Sequence, residues 1–353
     1  MKTWKAWLGV AVSAAAIWFA ARGVEWNAVG AALVRADYGI LALVLLLTPL
    51  VNVGVRAVRW RVLLLPVRRV RLADCLSATA IGLMANNVLP ARIGEFVRAY
   101  ALGRRRLVPT GTAFGALFVE RMLDGFALVG LLFAVTLARE LPEWVDTTAQ
   151  VAFAIFAGFL ALQLGFALRP RAFVGLTRWI SQRVLGGRFE EAAERAIVTF
   201  VDGFQLLRRP ALLILSLLLA FVQWSLISGL YYLGLAAFGL AAEAGLAGAF
   251  FTDSVTSLGV AVPSSPGFVG TFQAFVVESL AVFGIPPSAA FSFSVGFHAV
   301  SYVGVTVVGL WFFLREGLTW KDLERSEADL EHELEEEYET AIEPGIRRDA
   351  RLP

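Results

Sequence analysis

From Tyr38 to Val55 the chain runs without a single charged side chain, and comparable apolar stretches recur at residues 4–20, 125–137, 151–168, 211–240 and 287–314. The stretch at 125–137 is short alone, but it extends backwards through residues 112–119. At 1.5 Å of rise per residue, about 20 such residues cross a hydrocarbon core of about 30 Å. The chain of 353 residues is 58% hydrophobic and 17% charged. Soluble proteins hold about 45–50% apolar and about 25% charged residues. The pattern predicts an all-α polytopic membrane protein with about six full spans. It excludes a soluble enzyme, a nucleic-acid reader and a secreted disulfide scaffold. Cys75 is the single cysteine, and His298 and His332 are the only histidines. Neither residue type can cluster around a metal, so no metal and no cofactor are expected. No nucleophile–base pair is legible, and the expectation is a protein that is not an enzyme. Residues 4–20 lack a small-residue cleavage site and read as a retained first span.

The charges orient these spans. Arg56, Arg59, Arg61, Arg68, Arg69 and Arg71 follow the second span, joined by Arg104, Arg105 and Arg106. The connection at 169–209 holds Arg169, Arg171, Arg178, Arg183, Arg188, Arg195, Arg208 and Arg209, whereas Arg22, Arg35 and Arg139 fall on the other side. Residues 239–288 contain no Lys or Arg. Cytoplasmic loops carry the excess of basic residues, so both termini are expected in the cytoplasm and the protein in the cell (inner) membrane, multi-pass.

Two segments do not read as simple spans. Residues 72–104 begin as an apolar helix, break at Asn86, Asn87, Pro90 and Gly94, and resume as a short helix. Residues 243–284 do the same around Pro263, Pro266, Gly267 and Gly270. The arms at 95–102 and 271–283 are too short to cross alone. The first pair has arginines on both flanks and is expected to dip in from the cytoplasm; the second has none and is expected to enter from outside. Span, broken pair and span then occur twice, as an inverted repeat of two opposed re-entrant hairpins. The divisions that follow are 1–37, a first span and an outer interfacial helix; 38–138, repeat one; 139–209, a linking span and a cytoplasmic amphipathic segment at 172–207; 210–316, repeat two; and 317–353, an acidic cytoplasmic tail. Interrupted apolar segments at matching places in two halves point to a transporter's binding site.

The polar residues inside these segments are the site candidates. Irregular backbone at membrane depth survives only where protein or a water-filled cavity covers it, so Asn86 and Asn87 imply a cavity. Arg92, with the free N–H groups opening the returning helix, can bind an anion such as phosphate. Glu95 and Arg98, spaced i,i+3, can alternatively pair and hold the hairpin shut. Glu120, Arg121 and Asp124 lie in an apolar span, where charges are rare and face the interior; they either contact cargo or tie that span to Arg92 or Arg98. Ser264, Ser265 and Gly267 offer donors at the second break, or the serines cap the helix that follows. Arg56 and Arg59 are expected to snorkel to headgroups rather than line a cavity. Asp253 lies mid-arm in the second pair, Gln273 and Glu278 follow on its returning arm, with Glu278 at the outer surface, and His298 reads as a packing residue rather than a proton relay.

The residues Asn86-Asn87-x-Leu89-Pro90-x-Arg92-x-Gly94-Glu95-x-x-Arg98, then Glu120-Arg121-x-x-Asp124, then Pro263-x-x-Pro266-Gly267-x-x-Gly270 resemble the lysylphosphatidylglycerol synthase transmembrane family. This is the flippase-like domain of the multiple peptide resistance factor. The resemblance spans roughly residues 1–316 and implies movement of a lipid with a polar headgroup between leaflets. Residues 315–353 are too few for the aminoacyltransferase domain that follows in the resistance factor, so a stand-alone member is expected. Gln273 stands where the family often shows an acidic residue.

The expected function is transport of a phosphate-containing polar lipid, a phospholipid or aminoacylated phosphatidylglycerol among them. The phosphate would sit on Arg92 and helix N-termini, with Glu95, Glu120 and Asp124 neutralising the arginines of an empty site. The alternative is a lipid-binding scaffold that moves nothing and serves a separate lipid or envelope enzyme. The expected partners are membrane lipids with phosphate headgroups and no nucleic acid. Small-residue faces such as 229–234 would permit pairing with a second copy, and the acidic tail would offer a surface to a cytoplasmic partner.

Overall fold

The computed structural model describes residues 3–89, 93–105, 107–169, 198–260 and 265–319. Pro90, Arg92, Pro263, Ser264, most of the amphipathic segment and all but the first residues of the acidic tail lie outside them. Eleven α-helices account for nearly all of the described chain: α1 (Thr3–Ala20), α2 (Trp26–Arg35), α3 (Tyr38–Leu64), α4 (Leu72–Val88), α5 (Gly94–Gly103), α6 (Thr110–Ala138), α7 (Glu143–Leu168), α8 (Pro210–Ala237), α9 (Ala241–Gly259), α10 (Thr271–Ala281) and α11 (Pro287–Arg315). The protein is an all-α polytopic membrane protein. Among the described residues five helices, α3, α6, α7, α8 and α11, are long and apolar enough to cross a membrane. Within α1, Ala11–Ala20 forms a further, shorter apolar helix.

Local chemistry sets the helix ends. Asp37 caps α3 by accepting from the backbone N–H groups of Gly39 and Ile40 at 2.9 and 3.1 Å, which satisfies two of the orphan donors of a first turn. Pro49 removes a donor within α3, and the next six residues, Leu50–Val55, widen into a π-helical stretch. Such stretches accompany functional sites, and this one directly precedes Arg56.

α6 is the central helix, packed against α5, α7, α8, α9 and the C-terminal part of α3, Arg56–Leu64. Its buried set runs from Thr110 to Val135 and includes Glu120 and Asp124. α7 is the opposite case: it buries Val145, Ala149, Gln163 and Ala167 and presents Val151, Phe153, Ile155 and Phe159 outward, the face of a helix that meets lipid.

The two broken pairs are α4/α5 and α9/α10, so helix, broken pair and helix occur as α3, α4/α5, α6 and again as α8, α9/α10, α11. α4 and α5 touch backbone to backbone. A Cβ on Gly82 would lie 2.6 Å from the carbonyl oxygen of Gly94, and one on Gly94 would overlap Gly82 and the side chain of Asn86. Small residues permit this approach between membrane helices. At the second break Gly267 and Gly270 take φ of +65° and +94°, backbone that glycine adopts without penalty. A side chain at Gly270 would collide with the main chain of Ser13, so α1 braces this break. The turn Pro266–Phe268 packs on α4, and a Cβ on Gly267 would stand 3.5 Å from the carbonyl oxygen of Asn87. The two breaks therefore meet beside α11.

Candidate functional site

Four arginines and three carboxylates converge where α3, α5 and α6 cross. Arg59 lies 2.6 Å from Asp124, Arg98 lies 3.0 Å from Glu120, and Arg56 stands 3.9 Å from Glu120. Arg121 reaches Glu95 at 3.2 Å, Glu120 at 3.1 Å and Asp124 at 3.3 Å. Arg59 also donates to Gln223 at 2.7 Å, Trp224 donates to Asp124 at 3.0 Å, and the Arg98 guanidinium sits 4.2 Å over the Trp60 ring. Arg59 and Glu120 are 0% exposed and Arg56 is 7% exposed. Breaking such a buried pair by removing one partner leaves an uncompensated charge.

The expected tie between α6 and the first broken pair is present, as Arg98 with Glu120. Two expectations are corrected. Arg56 and Arg59 do not snorkel to headgroups: carboxylates on α6 stand at the same depth and draw both guanidiniums into the interior. Glu95 and Arg98 do not hold each other. Arg98 points inward, whereas Glu95 stays at the rim, where its side chain is 37% exposed and pairs with Arg121. Nor is the start of α5 wholly free for an anion, because the N–H of Gly94 donates to Asn86 at 2.9 Å. Asn87 donates to Thr306 at 2.8 Å.

Beside this cluster a cavity of about 540 Å³ opens between the two halves. Asn52, Arg56, Asn86, Asn87, Glu95, Arg121 and Asp124 line it from the first half, and Asp253, Thr256, Ser257, His298 and Tyr302 from the second, with Trp224, Tyr231 and Phe272 among its aromatic walls. Arg56 is the least neutralised of the buried arginines. Glu120 at 3.9 Å is its nearest carboxylate, and its Nε has no hydrogen-bond partner among the described residues.

Of the residues expected at the second break, Ser264 lies outside the described residues, and Phe268, Phe272 and His298 bring this region to the cavity. The Ser265 side chain makes no cap hydrogen bond to the turn it precedes; its hydroxyl donates to the Val269 carbonyl at 3.1 Å and its N–H donates to Ser13 at 2.9 Å. Gln273 takes the capping role, its Oε1 accepting from the N–H of Gly270 at 2.7 Å, while its Nε2 lies 3.1 Å from His298 Nδ1. The His298 ring stacks on Phe272 at 4.3 Å. Gly267 lies against Tyr302, and Glu278 is exposed. Among the charged residues of the site, those that sequence reasoning did not place there are Arg56, Arg59 and Asp253. The available signal for Asp253 was a lone acid inside an apolar arm with no basic residue from 239 to 288.

Fold and site define a polytopic helical membrane protein with a charged cavity between two broken helix pairs. The lysylphosphatidylglycerol synthase TM region family matches residues 6–309, and the chain belongs to that family. Glycosyltransferase AglD of Haloferax volcanii is 32% identical over 288 residues, 73% of this chain and 46% of that protein. The chain thus spans about half the length of that relative. The UPF0104 membrane protein MJ1078 of Methanocaldococcus jannaschii is 22% identical over 65% of this chain and 92% of its own. A UPF0104 membrane protein of Methanothermobacter thermautotrophicus is 26% identical over 65% of this chain and 71% of its own. No solved structure matches. AglD overturns the expectation that this is not an enzyme, since a relative of this similarity is named as a glycosyltransferase. That expectation rested on the lack of a legible nucleophile–base pair, which is no guide to the chemistry of a family.

Proposed function

We propose that the protein moves a lipid with a phosphate headgroup between leaflets, the headgroup passing through the cavity while the acyl chains stay in the bilayer. The broken pairs α4/α5 and α9/α10 act in this reading as opposed re-entrant hairpins of an inverted repeat, in an inner membrane with both termini cytoplasmic. Half-helices that meet at mid-membrane are where secondary transporters bind their substrates. The observation that supports the reading best is Arg56, a buried guanidinium on the cavity wall whose nearest carboxylate is 3.9 Å away. Guanidinium groups pair readily with phosphate, and Arg56 has capacity left for one. Arg121, on the same wall, shares its donors among three carboxylates.

Membership of a family named for lysylphosphatidylglycerol synthesis supports a lipid role. The glycosyltransferase name of AglD extends the cargo class to glycosylated lipid phosphates, alongside phospholipids and aminoacylated phosphatidylglycerol. Vesicles containing the purified protein should exchange headgroup-labelled phosphate lipids between leaflets faster than protein-free vesicles do, and faster than they exchange a glycolipid without phosphate. Exchange equal to that of protein-free vesicles overturns the reading. Lipid binding without exchange would instead identify a non-transporting lipid-binding protein.

A further inference from the structure

The lipid reading leaves Asp253 without a role. This carboxylate is fully buried in α9 and lines the cavity from the second half. Its two oxygens accept from Ser228 at 2.8 Å and Ser257 at 3.1 Å, and no ion pair reaches it among the described residues. Residues 239–288 supply no Lys or Arg, and the ion pairs of Arg56 and Arg121 on the same cavity go to Glu95, Glu120 and Asp124 and not to Asp253. A buried charge is costly unless it is paired as well as hydrogen-bonded, and two hydroxyl dipoles do not cancel one.

Three features at this place favour a cation. Asp253 precedes the end of α9 at Gly259 by less than two turns, and the carbonyl end of a helix carries partial negative charge. Thr256 and Ser257, at i+3 and i+4, share its face and also line the cavity. The last turn of α9 contains no basic residue to compete. All of these ligands are oxygens, the set that hard cations take. Among the described residues no group of three acidic, cysteine or histidine side chains is placed to hold a metal ion, and a single carboxylate suits one positive charge rather than two.

We propose that Asp253, with the hydroxyls of Ser228 and Ser257 turned to offer their lone pairs, binds a monovalent cation of the sodium class from the cavity. The site belongs to the second half of the chain, whereas Arg56 lines the cavity from the first, and it does not depend on lipid movement.

The test is equilibrium binding of radioactive sodium to the detergent-purified full chain, with folding followed by gel filtration and thermal unfolding. The expected result is saturable binding, displaced by unlabelled sodium and weakened at least about tenfold in Asp253→Asn, with a smaller loss in Ser257→Ala. Absence of saturable binding to the wild-type protein overturns the proposal, as does unchanged affinity in a folded Asp253→Asn. Should Asp253→Asn fail to fold, Ser228→Ala and Ser257→Ala decide, and unchanged affinity in both overturns it. A protein that binds sodium and exchanges no lipid contradicts the translocation reading alone; one that exchanges lipid and binds no sodium contradicts this inference alone.

Discussion

Tyr302 donates its phenolic O–H to the main-chain carbonyl of Asn87 at 3.1 Å. Asn87 in turn donates to Thr306 at 2.8 Å, so the end of α4 is fastened twice to α11, beside the Gly267 turn of the second break. Tyr302→Phe removes one neutral hydrogen bond, and the expected loss is about 1 kcal/mol. It should appear as a lower unfolding temperature in detergent. No change in that temperature would mean that this contact does not hold the breaks together.

Arg59 and Asp124, 2.6 Å apart and both buried, should behave as a unit. Arg59→Met leaves a buried carboxylate short of a partner and should cost about 3–5 kcal/mol. The double variant Arg59→Met with Asp124→Leu should cost clearly less than the sum of the two single changes, the signature of direct coupling. Some cost should persist, because Gln223, Trp224 and Arg121 lose a partner as well. Additive single costs in a denaturation cycle would contradict the pairing.

Gly267 has φ of +65°, and a Cβ there would lie 2.6 Å from the Tyr302 ring. Gly267→Ala should lose about 1–2 kcal/mol from left-handed backbone alone, and more from the displaced ring. Combining it with Tyr302→Ala should recover part of the loss, as read by thermal unfolding.

Cys75 is the single cysteine and is buried, which makes it a reporter of the N-terminal end of α4. Close by in sequence, Asp74 pairs with Arg105 at 2.6 Å, and Glu316 at the end of α11 pairs with Arg105 and accepts from Ser77. A maleimide should label Cys75 slowly in the folded protein and fully after unfolding. Arg105 is about one-third exposed, and pairs of that kind contribute about 0–1 kcal/mol. Arg105→Ala should therefore change global stability little while speeding the labelling of Cys75. Equal labelling rates would mean that this set of ion pairs does not restrain the end of α4.

The apolar runs made the long helices legible, because length and lack of charge suffice to mark a span. The breaks were legible through Gly94, Gly267 and Gly270, but Asn86 and Asn87 do not interrupt the helix as expected: α4 continues through both to Val88. What stayed hidden were partnerships between distant segments. Arg56 and Arg59 stand near a run of further arginines in the sequence, so the chain alone favours the headgroups; only the packing of α3 on α6 brings Glu120 and Asp124 within reach. Glu95 and Arg98 have helical pairing distance in sequence, yet α6 offers each another partner, Arg121 to Glu95 at the rim and Glu120 to Arg98 in the interior. Gln273 rather than a serine satisfies the first turn of α10, because the serine hydroxyl at Ser265 is spent on its own turn.

The central claim is that a phosphate headgroup meets Arg56 inside the cavity. Leaflet exchange of headgroup-labelled phosphatidylglycerol in vesicles, compared between the wild-type protein, Arg56→Lys and Arg56→Gln, tests it most directly. The account predicts exchange that falls at least about tenfold in Arg56→Gln, the loss of one charge-assisted contact, and only partly in Arg56→Lys. Wild-type exchange by a folded Arg56→Gln protein would contradict it.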